Sequence, residues 1–168
     1  TWDDQGRLVV VIETPKGSRN KLSWNEQYGR FELKGVLPAG AIFPYDFGFL
    51  PSTLAEDGDP LDLLLLLDDQ TYPGVLVRSR LLGVLEAEQT EDGKTERNDR
   101  LIAVADNSRT HSSLKTIDDL DQNLLKEIEH FFCSYNEVKG KQFRVIGRGG
   151  PDRARQIIET ASKRKAHG

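Results

Sequence analysis

Asp57-Gly58-Asp59-Pro60-Leu61-Asp62, with Glu56 just before it, puts three aspartates within six residues on a loop that runs into an apolar segment. Gly58 permits a tight backbone turn, and Pro60 fixes φ and removes one donor. Asp57 and Asp62 can then converge from the two sides of the turn, with Asp59 between them. Three carboxylates that close repel one another unless a cation lies among them or one is protonated. Oxygen ligands of this hardness select Mg²⁺, Mn²⁺ or Ca²⁺ over zinc. An EF-hand loop is excluded, because the alternation of ligands stops at Pro60 and the chain turns apolar as far as Leu67. The same residues also suit an Asx-rich turn capping a strand, and spacing alone leaves both readings open.

Such a loop needs elements to hold it. Arg7–Ile12 reads as a strand ended by Thr14-Pro15, and Tyr28–Lys34 alternates like a half-buried strand. Gly40–Leu50 is aromatic and punctuated by Pro44 and Gly48. Leu61–Leu67, apolar but for Asp62, fits a strand buried on both faces. Gly74–Glu88 is a long strand pattern with a bend expected at Gly83, and Leu101–Ala105 is a short one. The polar stretch Gln89–Arg100 between them reads as a solvated hairpin loop. Asp121–Tyr135 then carries Leu124, Leu125, Ile128, Phe131, Phe132 and Tyr135 at helical spacing. Asp118, Asp119 and Asp121 lie at its start, where the helix dipole favours anions. Lys141–Gly147 is a further strand, and Pro151 opens a second helix over Asp152–Lys165. Many short strands followed by two helices predict an α+β fold. The expected arrangement is one domain over residues 1–168, a small closed, OB-like β-barrel with two flanking C-terminal helices.

Composition narrows the partners. The chain has 168 residues, with 23 Lys+Arg against 27 Asp+Glu and a formal charge of −4. That acidic balance weighs against wrapping nucleic acid. The longest apolar run, Leu63–Leu67, is far short of the roughly 20 residues a membrane helix needs. Cys133 is the single cysteine, so no internal disulfide can form. No charged-then-apolar leader is visible, and the absence of methionine suggests a trimmed end at Thr1. The expected compartment is the cytoplasm. There is no Walker A loop and no Gly-x-Ser-x-Gly elbow. His130 and Cys133, on the first helix, read as structural and packing residues.

Asp57–Leu63 resembles the signature of the family I soluble inorganic pyrophosphatases, and other landmarks fall in that family's order. They are Val11-Ile12-Glu13-Thr14-Pro15, Lys21, Phe43–Phe49, Leu101-Ile102-Ala103-Val104, His130-Phe131-Phe132 with Tyr135, and Lys139-Gly140-Lys141. The resemblance covers roughly residues 7–147 and implies hydrolysis of pyrophosphate to two phosphates. It implies Mg²⁺ as cofactor, with Mn²⁺ or another divalent ion possible, and a homo-oligomer. Carried over residue by residue, Asp57 and Asp62 would hold the activating metals, with Glu13 facing the metal–phosphate cluster. Asp59 would take a proton from the attacking water or orient it. Lys21, Lys34, Arg100 and Tyr135 would contact phosphate.

The departures from the family pattern are specific. Ser23 stands for a glutamate, Phe43 and Phe47 for tyrosines, and Asn136 for a lysine. Lys34 and Arg100 exchange the usual arginine and lysine. Asn98 stands for an aspartate, so adjacent Asp99 is the expected replacement metal ligand, and Glu91 or Asp92 could supply the loop's other carboxylate. These changes motivate an alternative, a pyrophosphatase-like protein that binds phosphate or metal with little turnover. An oligonucleotide-binding barrel is a further alternative, opposed by the lack of an aromatic-plus-basic stripe. The −4 charge excludes a nucleic-acid wrapper better than a phosphate enzyme, since metals let an acidic protein bind a polyanion.

Overall fold

In the computed structural model, residues 1–167 are described, the last by its backbone alone, so Gly168 lies outside the described residues. The strands are β1 (Leu8–Thr14), β2 (Asn20–Asn25), β3 (Arg30–Val36), β4 (Asp46–Phe49) and β5 (Asp62–Leu66). After them come β6 (Leu76–Glu91), β7 (Lys94–Arg97), β8 (Arg100–Ala105) and β9 (Gln142–Gly149). Helix α1 (Gln122–Glu137) precedes β9, and α2 (Pro151–His167) follows it. The expected α+β class holds, as does the strand-rich body followed by two helices.

Five strands close a ring. β1 pairs with β4, β4 with β5, β5 with β8, β8 with β6, and β6 returns to β1. The β5–β8 pair is parallel and the others in the ring are antiparallel. The long strand β6 makes this possible, pairing β1 over Leu76–Ser79, β8 over Ser79–Leu85 and β9 over Val84–Thr90. Closure removes the exposed edges that an open sheet would present. β2 and β3 form a separate two-stranded sheet.

Side-chain alternation splits the apolar residues of β5 between two clusters. Leu64 and Leu66 join Phe43, Phe47, Ile102 and Val104 against Leu125, Ile128 and Phe132 of α1. Leu63 and Leu65 join Leu8, Val10, Ile12 and Ala103 against Ala154, Ile158 and Ala161 of α2. A strand apolar on both faces is thus packed on both, as its sequence predicts. Asp121 caps α1 by accepting from the Asn123 and Leu124 amides.

Two expectations are corrected. The stretch Gln89–Arg100 is not a solvated loop, because β6 runs on to Glu91 and turns back as β7. Asp92 and Gly93 both have positive φ, as a tight two-residue hairpin turn requires. The polar composition misleads here because this hairpin stands out from the body and has little to bury. β2 also escaped the reading, since Asn-Lys-Leu-Ser-Trp-Asn has no continuous apolar pattern. The bend at Gly83 is present as a shift in the β6–β8 register beside Leu82.

Strand β4 passes so near β1 that a Cβ on Gly48 would stand 2.3 Å from the Val11 carbonyl oxygen. Gly48→Ala should therefore lower stability by about 1–3 kcal/mol, the usual range for forced overpacking. Gly35→Ala, where an added Cβ meets nothing within 4 Å, should change it little. Urea midpoints of the two variants check this contrast.

Candidate active site

A cleft of about 890 Å³ brings together Asp57, Asp59, Asp62, Glu13, Lys21, Arg100 and Tyr135. Lys139 and Lys141 also line it, as do Ser23, Gln89, Asn98 and Asn136. The aspartates come from the loop entering β5, Glu13 from β1, Arg100 from β8, and Tyr135 from α1.

The aspartate loop is tied down at several points. Thr53, fully buried, donates to the Leu50 carbonyl and accepts from the Leu61 amide. The Ala55 amide donates to the Asp59 carbonyl, and the Asp59 amide donates to Oδ1 of Asp57. Gly58 turns with φ of 88°, the left-handed region that glycine enters without strain. Helix α2 anchors the loop from behind, the Leu54 amide donating to Ala161 and Arg164 donating to Leu54.

Burial pushes the Asp57 carboxyl up, and the neighbouring Asp62 and Asp59 charges add to the rise. Burial and the Asp62 charge do the same to Asp59, although Lys141, Lys34 and Lys21 oppose it. Among the described residues, no three His, Cys, Asp or Glu side chains already stand as a metal cage. The donor chemistry of Asp57, Asp59 and Asp62 nevertheless fits a hard divalent cation, which would offset the crowding of negative charge around Asp57 and Asp59.

Glu13 owes its place to a β-bulge. Ile12 pairs with Gly48 and Thr14 with Phe47, so Glu13 is the extra residue and turns into the cleft. Both of its oxygens are occupied: Oε1 accepts from the Ser23 hydroxyl and the Trp24 amide, and Oε2 accepts from Lys21 at 3.1 Å. Ser23, standing where a glutamate is usual, thus becomes a donor to Glu13. Lys21 also lies 4.1 Å from the Phe47 ring centroid, a cation–π contact. A second bulge, at Lys34 on β3, lies opposite the step from Lys21 to Leu22. Lys34 is exposed outside the cleft and paired with Glu32, although its charge is felt at Asp59.

The β8 wall is made of amides and a guanidinium. Alternation about β8 sends Asn98 and Arg100 into the cleft and Arg97 and Asp99 to the opposite side. Asp99, the expected replacement ligand, is therefore not in the cleft. Its carboxylate accepts from the Ala87 amide and from Arg97. Glu91 and Asp92 lie at the hairpin turn instead of in the lining. Asn98 donates to Gln89 at 2.8 Å and accepts from Arg100. Arg100 reaches Oδ2 of Asp62 at 2.7 Å. Its guanidinium carbon lies 5.4 Å from the ring centroids of both Phe132 and Phe143.

Tyr135 faces the same space. It stacks on Phe131, and Phe43 meets its ring edge-on. Burial pushes its hydroxyl far above the usual tyrosine range, so it stays a proton donor. It accepts a hydrogen bond from Lys139. Asn136 is buried and donates to the Phe132 carbonyl within α1, so it closes the helix instead of offering a charge. Lys139, Lys141 and Gln89 are site residues that sequence reasoning missed. The turn Lys139-Gly140-Lys141 was visible as a family landmark, and only the fold aims its charges at the aspartates.

Known proteins with this arrangement can now be named. The family model described as inorganic pyrophosphatase matches residues 10–166. An inorganic pyrophosphatase of Corynebacterium efficiens is 38% identical over 158 residues, 94% of this chain and 97% of its own. The crystal structure of the inorganic pyrophosphatase from Thermus thermophilus superposes with a TM-score of 0.89 at 33% identity, covering 99% of this chain and 95% of that one. An inorganic pyrophosphatase from Neisseria gonorrhoeae gives 0.86 at 35% identity, covering 97% and 93%.

The basic side of the cleft has its own pH dependence. Partial burial, with Lys21, Lys141 and Arg100 nearby, pushes the Lys139 ammonium down to about 8, against an opposing pull from Asp62. Lys139 is thus charged below pH 8 and loses its proton as pH rises through that value. Phosphate affinity, measured by calorimetry, should fall between pH 7 and 9. Lys139→Gln should bind more weakly at pH 7 and show a flatter profile.

Proposed function

The chain belongs to the inorganic pyrophosphatase family, and we propose that it hydrolyses inorganic pyrophosphate to two phosphates with the help of divalent cations, Mg²⁺ foremost. The observation that carries this reading is the meeting, in one cleft, of three clustered aspartates with Lys21, Arg100, Lys139 and Lys141. A compact polyanion needs positive charge on several sides, and this cleft supplies it from side chains and from cations drawn to the carboxylates.

Asp57, Asp59 and Asp62 would hold the metal. When bound there, divalent ions neutralise phosphate charge and make a neighbouring water easier to deprotonate. Asp59, less enclosed than Asp57, accepts the proton of the attacking water. Water oxygen bonds to one phosphorus, the bridging P–O bond breaks, and the bridging oxygen leaves with the second phosphate. Lys21, Arg100 and Tyr135 hold phosphate oxygens, and Tyr135 can donate its hydroxyl to the leaving group. Glu13 orients Lys21 through their 3.1 Å contact. Lys34, outside the lining, acts on the site through its charge alone.

One pyrophosphatase-like domain belongs to this proposal, supported by the match across residues 10–166. So does a homo-oligomer, supported by the family. Among the described residues, no helix is long and apolar enough to cross a membrane. That finding and the free, half-buried Cys133 accord with the cytoplasmic assignment. The non-catalytic alternative is disfavoured because the aspartate loop is whole and the relatives are named as pyrophosphatases. The oligonucleotide reading is disfavoured by the carboxylates that fill the cleft.

A phosphate-release assay with pyrophosphate and Mg²⁺ tests the proposal. Asp59→Asn should lower turnover by about 10²-fold or more, the usual contribution of a positioned base. Chelation of divalent ions should abolish it. Wild-type hydrolysis no faster than that of Asp59→Asn overturns the reading.

A further inference from the structure

The two walls of the cleft differ in kind. On the loop side, Asp57 and Asp59 offer carboxylate oxygens. On the β8 side, the polar groups of Gln89, Asn98 and Arg100 are engaged with one another or with Asp62. Gln89 spends its side-chain oxygen on Asn98, and Asn98 spends its own on Arg100. Arg100 then takes Oδ2 of Asp62. Few lone pairs on this wall remain for a metal ion.

What remains is a donor. Arg100 is 95% buried, its side chain 5% exposed, and its Nε–H has no hydrogen-bond partner. A buried unpaired N–H of a charged group is costly, and only an acceptor can satisfy it. A metal ion cannot do so, and the guanidinium, as part of the cleft lining, repels a metal ion and attracts anionic oxygens. The Phe132 and Phe143 rings restrain the guanidinium and keep water from it, which strengthens its field.

From this geometry we propose that Arg100 is a built-in cation that takes the place of a divalent ion on the β8 wall. The Asn98–Gln89 pair holds it against Asp62. The site consequently loads metal only on its aspartate-loop side and grips one phosphate through protein charge alone. This rests on the pyrophosphatase reading and adds to it a reduced need for metal.

Counting bound Mn²⁺ by electron paramagnetic resonance, without substrate, tests the idea apart from activity. Arg100→Gln combined with Asn98→Asp frees Asp62 and restores a carboxylate opposite it. This double variant should bind one more Mn²⁺ per chain than the wild type. In a chelator, with no divalent ion present, Arg100→Gln should also bind inorganic phosphate about tenfold more weakly, the loss expected for a charged hydrogen bond. If circular dichroism shows Arg100→Gln to be unfolded, Arg100→Met, which removes the charge and keeps an apolar stem between the rings, serves in its place, with Asn98→Asp for the Mn²⁺ count and alone for the phosphate measurement. An unchanged Mn²⁺ count, or unchanged metal-free phosphate affinity, overturns the proposal. Absence of Mg²⁺-dependent hydrolysis by the wild type overturns the functional reading instead, whatever the ion count.

Discussion

Burial makes Asp57 and Asp59 harder to ionise, and the repulsion of the neighbouring Asp62 charge adds to the rise in both. The surrounding structure can be understood as a response to that repulsion. Thr53, Gly58 and the α2 contacts keep the loop from springing open. Lys21, Lys141 and Arg100 bring compensating charge from three other elements. The cluster remains short of positive charge at its centre, a shortfall that a divalent cation would meet.

Strand irregularities do much of the positioning. A regular β1 would have sent Glu13 to one face of the sheet and Thr14 to the other. The bulge puts both indoors, where Thr14 exchanges hydrogen bonds with the Leu22 backbone and Glu13 gathers Lys21, Ser23 and the Trp24 amide. On β8, regular alternation has the opposite effect, placing Asn98 with the site and Asp99 with Arg97 behind it. One residue of register decides whether a carboxylate or an amide faces the substrate.

Much of this was legible in the chain itself. The aspartate loop, Glu13, Lys21, Arg100 and Tyr135 are recognisable from residue type and order, and the structure brings them into one cleft. Strands such as β5, apolar on both faces, and the striped α1 declared themselves through periodicity. Four features did not. The polar β2 and the β6–β7 hairpin bury too little to leave a pattern. Asp99 was adjacent in sequence to the right position and opposite in space, because a strand reverses face at every residue. Lys139 and Lys141 were legible only as a landmark turn, and it is the fold that brings them into the cleft with the aspartates.

The ring of strands has a consequence in time. One seam joins Leu8 to Ser79 and Val11 to Leu76, the pairing in the ring whose partners lie farthest apart along the chain. Bringing such distant segments together costs loop-closure entropy before any pairing rewards it, so topologies of this kind fold slowly. Glu13 lies just beyond that seam, while the aspartate loop and Arg100 hang on β5 and β8, which pair directly with each other. A ligand held by the folded site alone would draw the folding equilibrium toward the closed ring.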